Sequence, residues 1–336
     1  MIISRAPYRV SFFGGGTDYP AWFKDNGGSI LGSSIAYYCY IYGRALPPFF
    51  DHKYLISWSV IEKVNEINDI EHPVVRESIR CMNIEHGMEV QHHGDLPARS
   101  GLGSSSSFTV SMLNMLHTLK GNVVSKDSLA KESIYLEQTI LQENVGIQDQ
   151  ILTSYGGFNK IDILPDGNFS VSPIPLSTKV KEQLESNILM FYTGISRFSS
   201  NISADHIKNI PKNKIDLSEM QKLVDVAIDL VANGNNIDDF GYLLHETWKL
   251  KKSLTSSISP DLVDEIYHKA ISAGALGGKL LGAGGGGFII FYVTPDMKVQ
   301  VLKALKDLIV VPFKIDCDGA RIMFYEKQQY SKKCSS

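Results

Sequence analysis

The residues best suited to chemistry form one run, Pro97-Ala98-Arg99-Ser100-Gly101-Leu102-Gly103-Ser104-Ser105-Ser106-Ser107. Its glycines let backbone N–H groups approach a polyanion. The helix that follows adds unpaired donors and the positive end of a dipole at its start. The serine hydroxyls add donors for phosphate oxygens and a neutral oxygen ligand for Mg²⁺. The competing reading is a flexible Gly/Ser linker or a multiply capped helix start. A linker, however, would not run unbroken into an apolar helical stripe.

Two further glycine-rich segments accompany it. Arg5-Ala6-Pro7-Tyr8-Arg9-Val10-Ser11-Phe12-Phe13-Gly14-Gly15-Gly16-Thr17-Asp18 ends a strand in a loop carrying a hydroxyl and a carboxylate. Those groups suit a polyhydroxylated ligand, although a hairpin turn with an Asp cap would look the same. In Gly278-Lys279-Leu280-Leu281-Gly282-Ala283-Gly284-Gly285-Gly286-Gly287, the glycines at 282, 284 and 287 satisfy GxGxxG. That dinucleotide fingerprint needs a strand before it and a helix after it, whereas the order here reads helix, glycines, strand. A P-loop needs Gly at 273 and Ser or Thr at 280, where Ala273 and Leu280 stand. What survives is a close-packed turn near the active site. A fourth segment, Glu143–Gln150, sets Asp149 between two glutamines. A lone Asp is usually a cap or a surface charge, so its meaning depends on its neighbours.

The elements that must position these groups are legible in outline. Ile2–Phe13, Ser29–Ala45 and Val90–Gly94 read as strands. Phe108, Met112, Met115, Leu116 and Leu119 recur at helical spacing, and Gly121 supplies a stop. A second helix runs from Asp127 to Glu143, with Ser125 as its cap. Its stripe of Ala130, Ile134, Glu137 and Leu141 places a carboxylate where an apolar group belongs. Glu137 is therefore either at the stripe's edge or aimed into a polar site. The pattern loosens over Pro165–Glu185, which predicts two domains, 1–185 and 186–336. Beyond it, a strand is predicted at Asn187–Thr193 and helices at Leu217–Val231, Asp238–Ser253, Pro260–Ala273 and Pro295–Leu308. Strands follow at Gly287–Val293, Pro312–Asp316 and Arg321–Glu326. Ser259-Pro260 and Thr294-Pro295 read as a cap followed by a first-turn proline. Interleaving without a βαβ rhythm predicts an α+β fold.

Composition bounds the partners. The 336 residues carry a formal net charge of −3, with 43% hydrophobic and 21% charged residues. That balance argues against a nucleic-acid or anionic-membrane surface. Cys39, Cys81, Cys317 and Cys334 form no CxxC pair and read as free thiols. The first residues, Met1–Pro7, have no apolar signal region, and no apolar run is long enough to span a bilayer. A cytoplasmic protein is expected, with no sign of its oligomeric state.

Taken together, the three motifs resemble those of the GHMP kinase superfamily, named for galactokinase, homoserine kinase, mevalonate kinase and phosphomevalonate kinase. Their order covers essentially the whole chain. The resemblance implies a ribosomal-protein-S5-like N-terminal domain and a ferredoxin-like C-terminal domain with the active site between them. It implies that Pro97, Arg99, Gly101, Leu102, Gly103, Ser104, Ser105 and Ser106 bind ATP. Ser105 and Glu137 match the family's Mg²⁺ ligands, Asp149 its general base, and Arg9 the arginine beside that base. Gly15, Gly16, Thr17, Asp18, Asp149, Arg197, Gly284 and Gly285 are then the candidates for the acceptor.

Galactokinases have Glu-His before the Thr-Asp of the first motif, where this chain has Gly15-Gly16. The Gly-Gly-Gly-Thr-Asp form resembles the branch that phosphorylates anomeric hydroxyls of heptose 7-phosphate or fucose-like sugars. It implies a sugar 1-kinase acting on D-glycero-α-D-manno-heptose 7-phosphate in a GDP-heptose pathway. Another sugar kinase, a kinase of isoprenoid acids or amino-acid alcohols, and an inactive sugar- or nucleotide-binding protein are the alternatives. A 7-phosphate needs cations or backbone donors. The candidates are Arg44, Lys53, Arg99, Arg197 and Lys279. Trp58 could stack on adenine, though a core position suits it better.

Overall fold

The computed structural model describes residues 1–195, 199–255 and 257–327. Arg197 and Cys334 lie outside them. In chain order the elements are β1 (Ile2–Phe13), α1 (Pro20–Asn26), β2 (Gly28–Ala45), β3 (Tyr54–Ser57), β4 (Ile61–Val64), α2 (Pro73–Cys81), β5 (Met88–Gly94), α3 (Ser104–Leu119), α4 (Lys126–Tyr135), α5 (Gln148–Tyr155), β6 (Phe158–Ile163) and β7 (Phe169–Pro173). There follow α6 (Thr178–Asn187), β8 (Ile188–Tyr192), α7 (Ser199–Asn209), α8 (Lys214–Asn233), α9 (Asp239–Ser253), α10 (Asp261–Ser272), β9 (Gly277–Leu280), β10 (Phe288–Tyr292), α11 (Lys298–Ala304), β11 (Ile309–Pro312) and β12 (Arg321–Tyr325).

Two sheets organise the chain, which gives the expected α+β architecture. The larger runs β12-β1-β2-β5-β3-β4, with β6 and β7 attached along β2. At 18 residues, β2 is long enough to pair with β6 through Gly28–Ser33 and with β5 through Cys39–Ala45, while β1 runs along its other edge. Period-two alternation buries Cys39 and Ile41 and turns Tyr38, Tyr40 and Tyr42 to the half-exposed face. The smaller sheet, β11-β8-β10-β9, is antiparallel throughout. Its strand β10 is buried along its whole length.

Helix α3 lies against β1 and β2 and is buried on nearly every side from Ser106 to Leu116. Gly121, at φ +77°, ends it as expected. The Ser125 hydroxyl accepts from the Ser128 N–H at 3.0 Å and caps α4. In α8, Leu217, Met220, Val224, Ala227 and Val231 form the apolar stripe that packs on β1 and β2. Phe12 and Phe13 each meet Phe240 of α9 edge-on, at 5.4 and 5.2 Å between centroids. Each such buried ring contributes roughly 1.5–3 kcal/mol, so the end of β1 is firmly tied to α9.

Several boundaries differ from the sequence reading. The 277–280 segment is a strand, so the third glycine run is the loop of a β9–β10 hairpin rather than a helix-to-strand turn. The loosened stretch contains β7 and α6. Pro260 itself occupies the cap position of α10, and the Ser259 hydroxyl donates to Asp264 at 2.6 Å. The cap of α11 is Met297, so Thr294-Pro295 does not start that helix. The strand predicted at Pro312–Asp316 ends at Pro312, after which the chain crosses between sheets. The Ala36 N–H donates to Lys314 O at 2.9 Å, the Asp316 N–H donates to Ser34 O at 3.0 Å, and β12 then pairs with β1. Among the described residues, no helix is long and apolar enough to cross a membrane. Cys39, Cys81 and Cys317 are free.

Candidate active site

A cleft runs between the start of α3, the end of β1 and the β9–β10 loop. Gly103 holds the cap position of α3 in the left-handed region, leaving the N–H groups of the first turn without intrahelical partners. Arg99, Gly101, Gly103, Ser104, Ser105 and Ser106 line the cleft. Pro97 and Leu102 do not. Pro97 is exposed outside it, and Leu102 is buried, its carbonyl accepting from the Arg9 N–H at 3.0 Å. The third glycine run supports this loop from behind. A Cβ on Gly101 would lie 2.6 Å from the Leu281 carbonyl oxygen, and one on Gly282 would lie 2.5 Å from the Gly101 Cα. The Phe288 N–H donates to Ser100 O at 2.9 Å, closing the contact. Gly284 faces the cleft, and the Gly285 N–H is engaged by Ile258 O at 2.8 Å.

Glu137 is 0% exposed. The α4 helix loosens into a π turn over Leu136–Ile140, and this re-aims the carboxylate inward. Its Oε2 accepts from the Ser106 hydroxyl at 3.0 Å and from Gln150 Nε2, while Oε1 makes no hydrogen bond of ordinary geometry. Burial pushes its carboxyl up to about 7, with Glu143 adding to the rise. An orphaned carboxylate oxygen beside a hydroxyl suits Mg²⁺, which takes one or two carboxylates and completes its shell with phosphate and water. The serine bonded to Glu137 is Ser106, whereas Ser105 stands exposed in the cleft wall.

Asp149 sits in the first turn of α5, where the helix start favours a negative charge. Arg9 grips it bidentately, Nε to Oδ1 at 2.6 Å and Nη2 to Oδ2 at 2.5 Å, and donates through Nη1 to Gly101 O at 2.7 Å. One guanidinium therefore fixes the carboxylate and the glycine loop together. Gly15, Gly16 and Asp18 bound the far side of the cleft. Asp18 is buried, and its oxygens accept from the Gly16 N–H at 3.1 Å and the Gln148 N–H at 3.3 Å. Burial, and then the charge of Asp149, raise its carboxyl to about 6. Thr17 does not line the cleft. Its hydroxyl is within 2.8 Å of Gly14 O and accepts from the Ser29 N–H at 3.2 Å, tying the loop to β2.

Of the cations considered for a phosphate, Arg44 pairs with Glu89 at 2.6 Å away from the cleft, and Lys53 lies outside it. Arg99 and Lys279 line it. The Trp58 indole donates to Glu62 Oε1 at 2.7 Å and packs on His72. Two cleft residues carried no signal in the sequence. Lys251, at the end of α9, donates to Leu280 O at 3.0 Å and Gly282 O at 2.6 Å, and burial drives its ammonium down to about 7. His206 of α7 is 6% exposed and rests against Tyr19, its ring held down to about 4 by burial.

Residues 68–157 match the model of the GHMP kinases N terminal domain, and residues 226–309 match that of the GHMP kinases C terminal. D-glycero-alpha-D-manno-heptose 7-phosphate kinase of Campylobacter jejuni is 27% identical over 91% of this chain and 93% of its own. The L-fucokinase/L-fucose-1-P guanylyltransferase of Bacteroides fragilis is 24% identical over 91% of this chain, which spans only 36% of that protein. Among solved structures, a D-glycero-D-manno-heptose 1-phosphate kinase from Bacteroides thetaiotaomicron superposes with a TM-score of 0.80 over 97% of this chain and 100% of its own. At 23% identity, that likeness speaks to fold.

Proposed function

The chain belongs to the GHMP kinase family, and from that premise we propose that it is an ATP-dependent sugar 1-kinase whose acceptor is D-glycero-α-D-manno-heptose 7-phosphate. The observation that carries the reading is the Arg9–Asp149 pair. It stands between a loop of free backbone donors on one side and the Gly15–Asp18 loop on the other. The heptose reading rests on the end-to-end likeness to the Campylobacter enzyme. The likeness to the mevalonate kinase of Pyrococcus horikoshii spans 70% of the chain.

Each group has a task in phosphoryl transfer, which is chiefly positioning and charge neutralisation. The N–H groups at the start of α3 and the serine hydroxyls hold the nucleotide phosphates. Glu137, with Ser105 or Ser106, would hold Mg²⁺, which when bound neutralises phosphate charge. Asp149, which lines the cleft, accepts the proton of the acceptor hydroxyl while Arg9 fixes its orientation. The polar Gly15–Asp18 loop orients the sugar. The 1–185 and 186–336 units would then contribute the phosphate loop and the third glycine run respectively. The reading is tested by ³¹P NMR of a reaction with ATP and the heptose 7-phosphate. A second phosphorus coupled to the anomeric proton is expected, and hydrolysis of ATP without that signal counts against it.

A further inference from the structure

Of the three basic side chains crowded into the depth of the cleft, Arg9 alone has a carboxylate partner. Lys279, 2% exposed on β9, makes a single hydrogen bond, Nζ to Phe12 O at 2.8 Å. The Lys251 ammonium faces two backbone carbonyls. Among the described residues, neither lysine lies within 4.0 Å of a carboxylate. Arg9 repels both ammonium groups, and the Lys279 ammonium also feels that of Lys251. Lys279 is buried and Lys251 half-buried. A buried ammonium without a counter-ion is costly, and more so beside a second cation, unless an anion reaches both. The set continues toward the first motif. His206 lines the same cleft with two ring nitrogens that make no hydrogen bond of ordinary geometry, and a Cβ at Gly16 would lie 3.1 Å from its Nε2. A neutral sugar can accept hydrogen bonds from these groups but leaves the two ammonium charges unbalanced. A phosphoryl dianion matches them, offering several acceptor oxygens to the two ammonium groups and to the neutral imidazole N–H.

We infer that Lys251 and Lys279, aided by His206, form a second phosphoryl-binding site, distinct from the backbone cradle at the start of α3. The reach of the set toward Gly16 assigns it to a phosphate carried by the acceptor, an assignment that rests on the sugar-phosphate reading above. The same chemistry could instead serve the terminal phosphoryl of the nucleotide.

The test compares the full-length enzyme with Lys251→Met and Lys279→Met. It measures kcat/KM for heptose 7-phosphate and for the same heptose without its phosphate, and KM for ATP. The expected result is a loss of about 10- to 100-fold on the phosphorylated acceptor only, the range for removing a charged hydrogen bond. Lys279→Arg should recover part of that loss. A preserved acceptor ratio with an ATP KM raised tenfold or more in Lys279→Met, whose ammonium touches the Phe12 carbonyl and not the glycine loop, would support a phosphoryl site that serves the nucleotide. The same rise in Lys251→Met alone would report the loop and count against the inference. A wild-type acceptor ratio together with a wild-type ATP KM overturns the inference, whatever happens to kcat, because a lysine that only braces the glycine loop lowers turnover on both acceptors alike. Methionine fills the lysine's space without its charge, and a retained melting temperature shows that the variants fold. If the wild-type enzyme shows no preference for the phosphorylated acceptor, the sugar-phosphate reading fails on its own, and the ATP arm still decides whether the site exists.

Discussion

Asp149 can serve as a base only where it is held, and both its oxygens are held by one arginine that also grips the Gly101 carbonyl. Asp149→Asn keeps the size of the side chain but removes the proton acceptor. Turnover measured by ADP release is expected to fall by about 10²–10⁴-fold, while nucleotide affinity by calorimetry stays close to that of the wild type. Undiminished turnover would sink the assignment. Asp18 carries a different expectation. Burial and Asp149 raise its carboxyl from 3.8 to about 6. A raised folded-state pKa gives stability that is fully present below the unfolded value and is lost as pH rises through the folded one. Asp18→Asn removes that titration. Between pH 4 and pH 7 the melting temperature of the variant should therefore drop less, or rise more, than that of the wild type. Parallel curves would show that Asp18 does not titrate in this window.

The glycines of the third motif act on an element rather than on a ligand. Gly282 and Gly101 lie so close that a methyl group on either would overlap the other loop, and Gly282 is also at φ +66°. Gly282→Ala is expected to cost about 1–3 kcal/mol in stability and to raise the ATP KM, read by denaturant melts and steady-state kinetics. An unchanged KM would separate the two loops functionally. The sequence shows this much of the site because local chemistry writes it. Glycine and serine runs, a capping serine at 125 and the apolar stripes of α3, α8, α9 and α10 are all dictated by neighbours in the chain. The π turn that swings Glu137 inward leaves only one trace, a carboxylate out of place in a stripe. Lys251 leaves none, because Lys249, Lys251 and Lys252 at a helix end look like a solvated face until tertiary packing turns one of them into the cleft. Similarly, β9 hides inside a glycine-rich run whose composition opposes a strand, and its pairing with β10 overrides that preference.

At the scale of the whole molecule, the cleft depends on segments far apart in sequence. Phe12 and Phe13 of β1 pack on Phe240 of α9, and β12 returns the end of the described chain to pair with β1. The same path sets Lys279 against the Phe12 carbonyl and Lys251 against the glycine loop, so the proposed site for the acceptor's phosphate stands where the two sheets' elements meet. The identity of the acceptor is therefore the decisive question. The measurement that tests it most directly is kcat/KM by coupled ADP release across heptose 7-phosphates, fucose, galactose and mevalonate. D-glycero-α-D-manno-heptose 7-phosphate is expected to exceed every unphosphorylated acceptor by at least ~10-fold, the discrimination of roughly one well-made charged contact. A strong preference for fucose, galactose or mevalonate would contradict it.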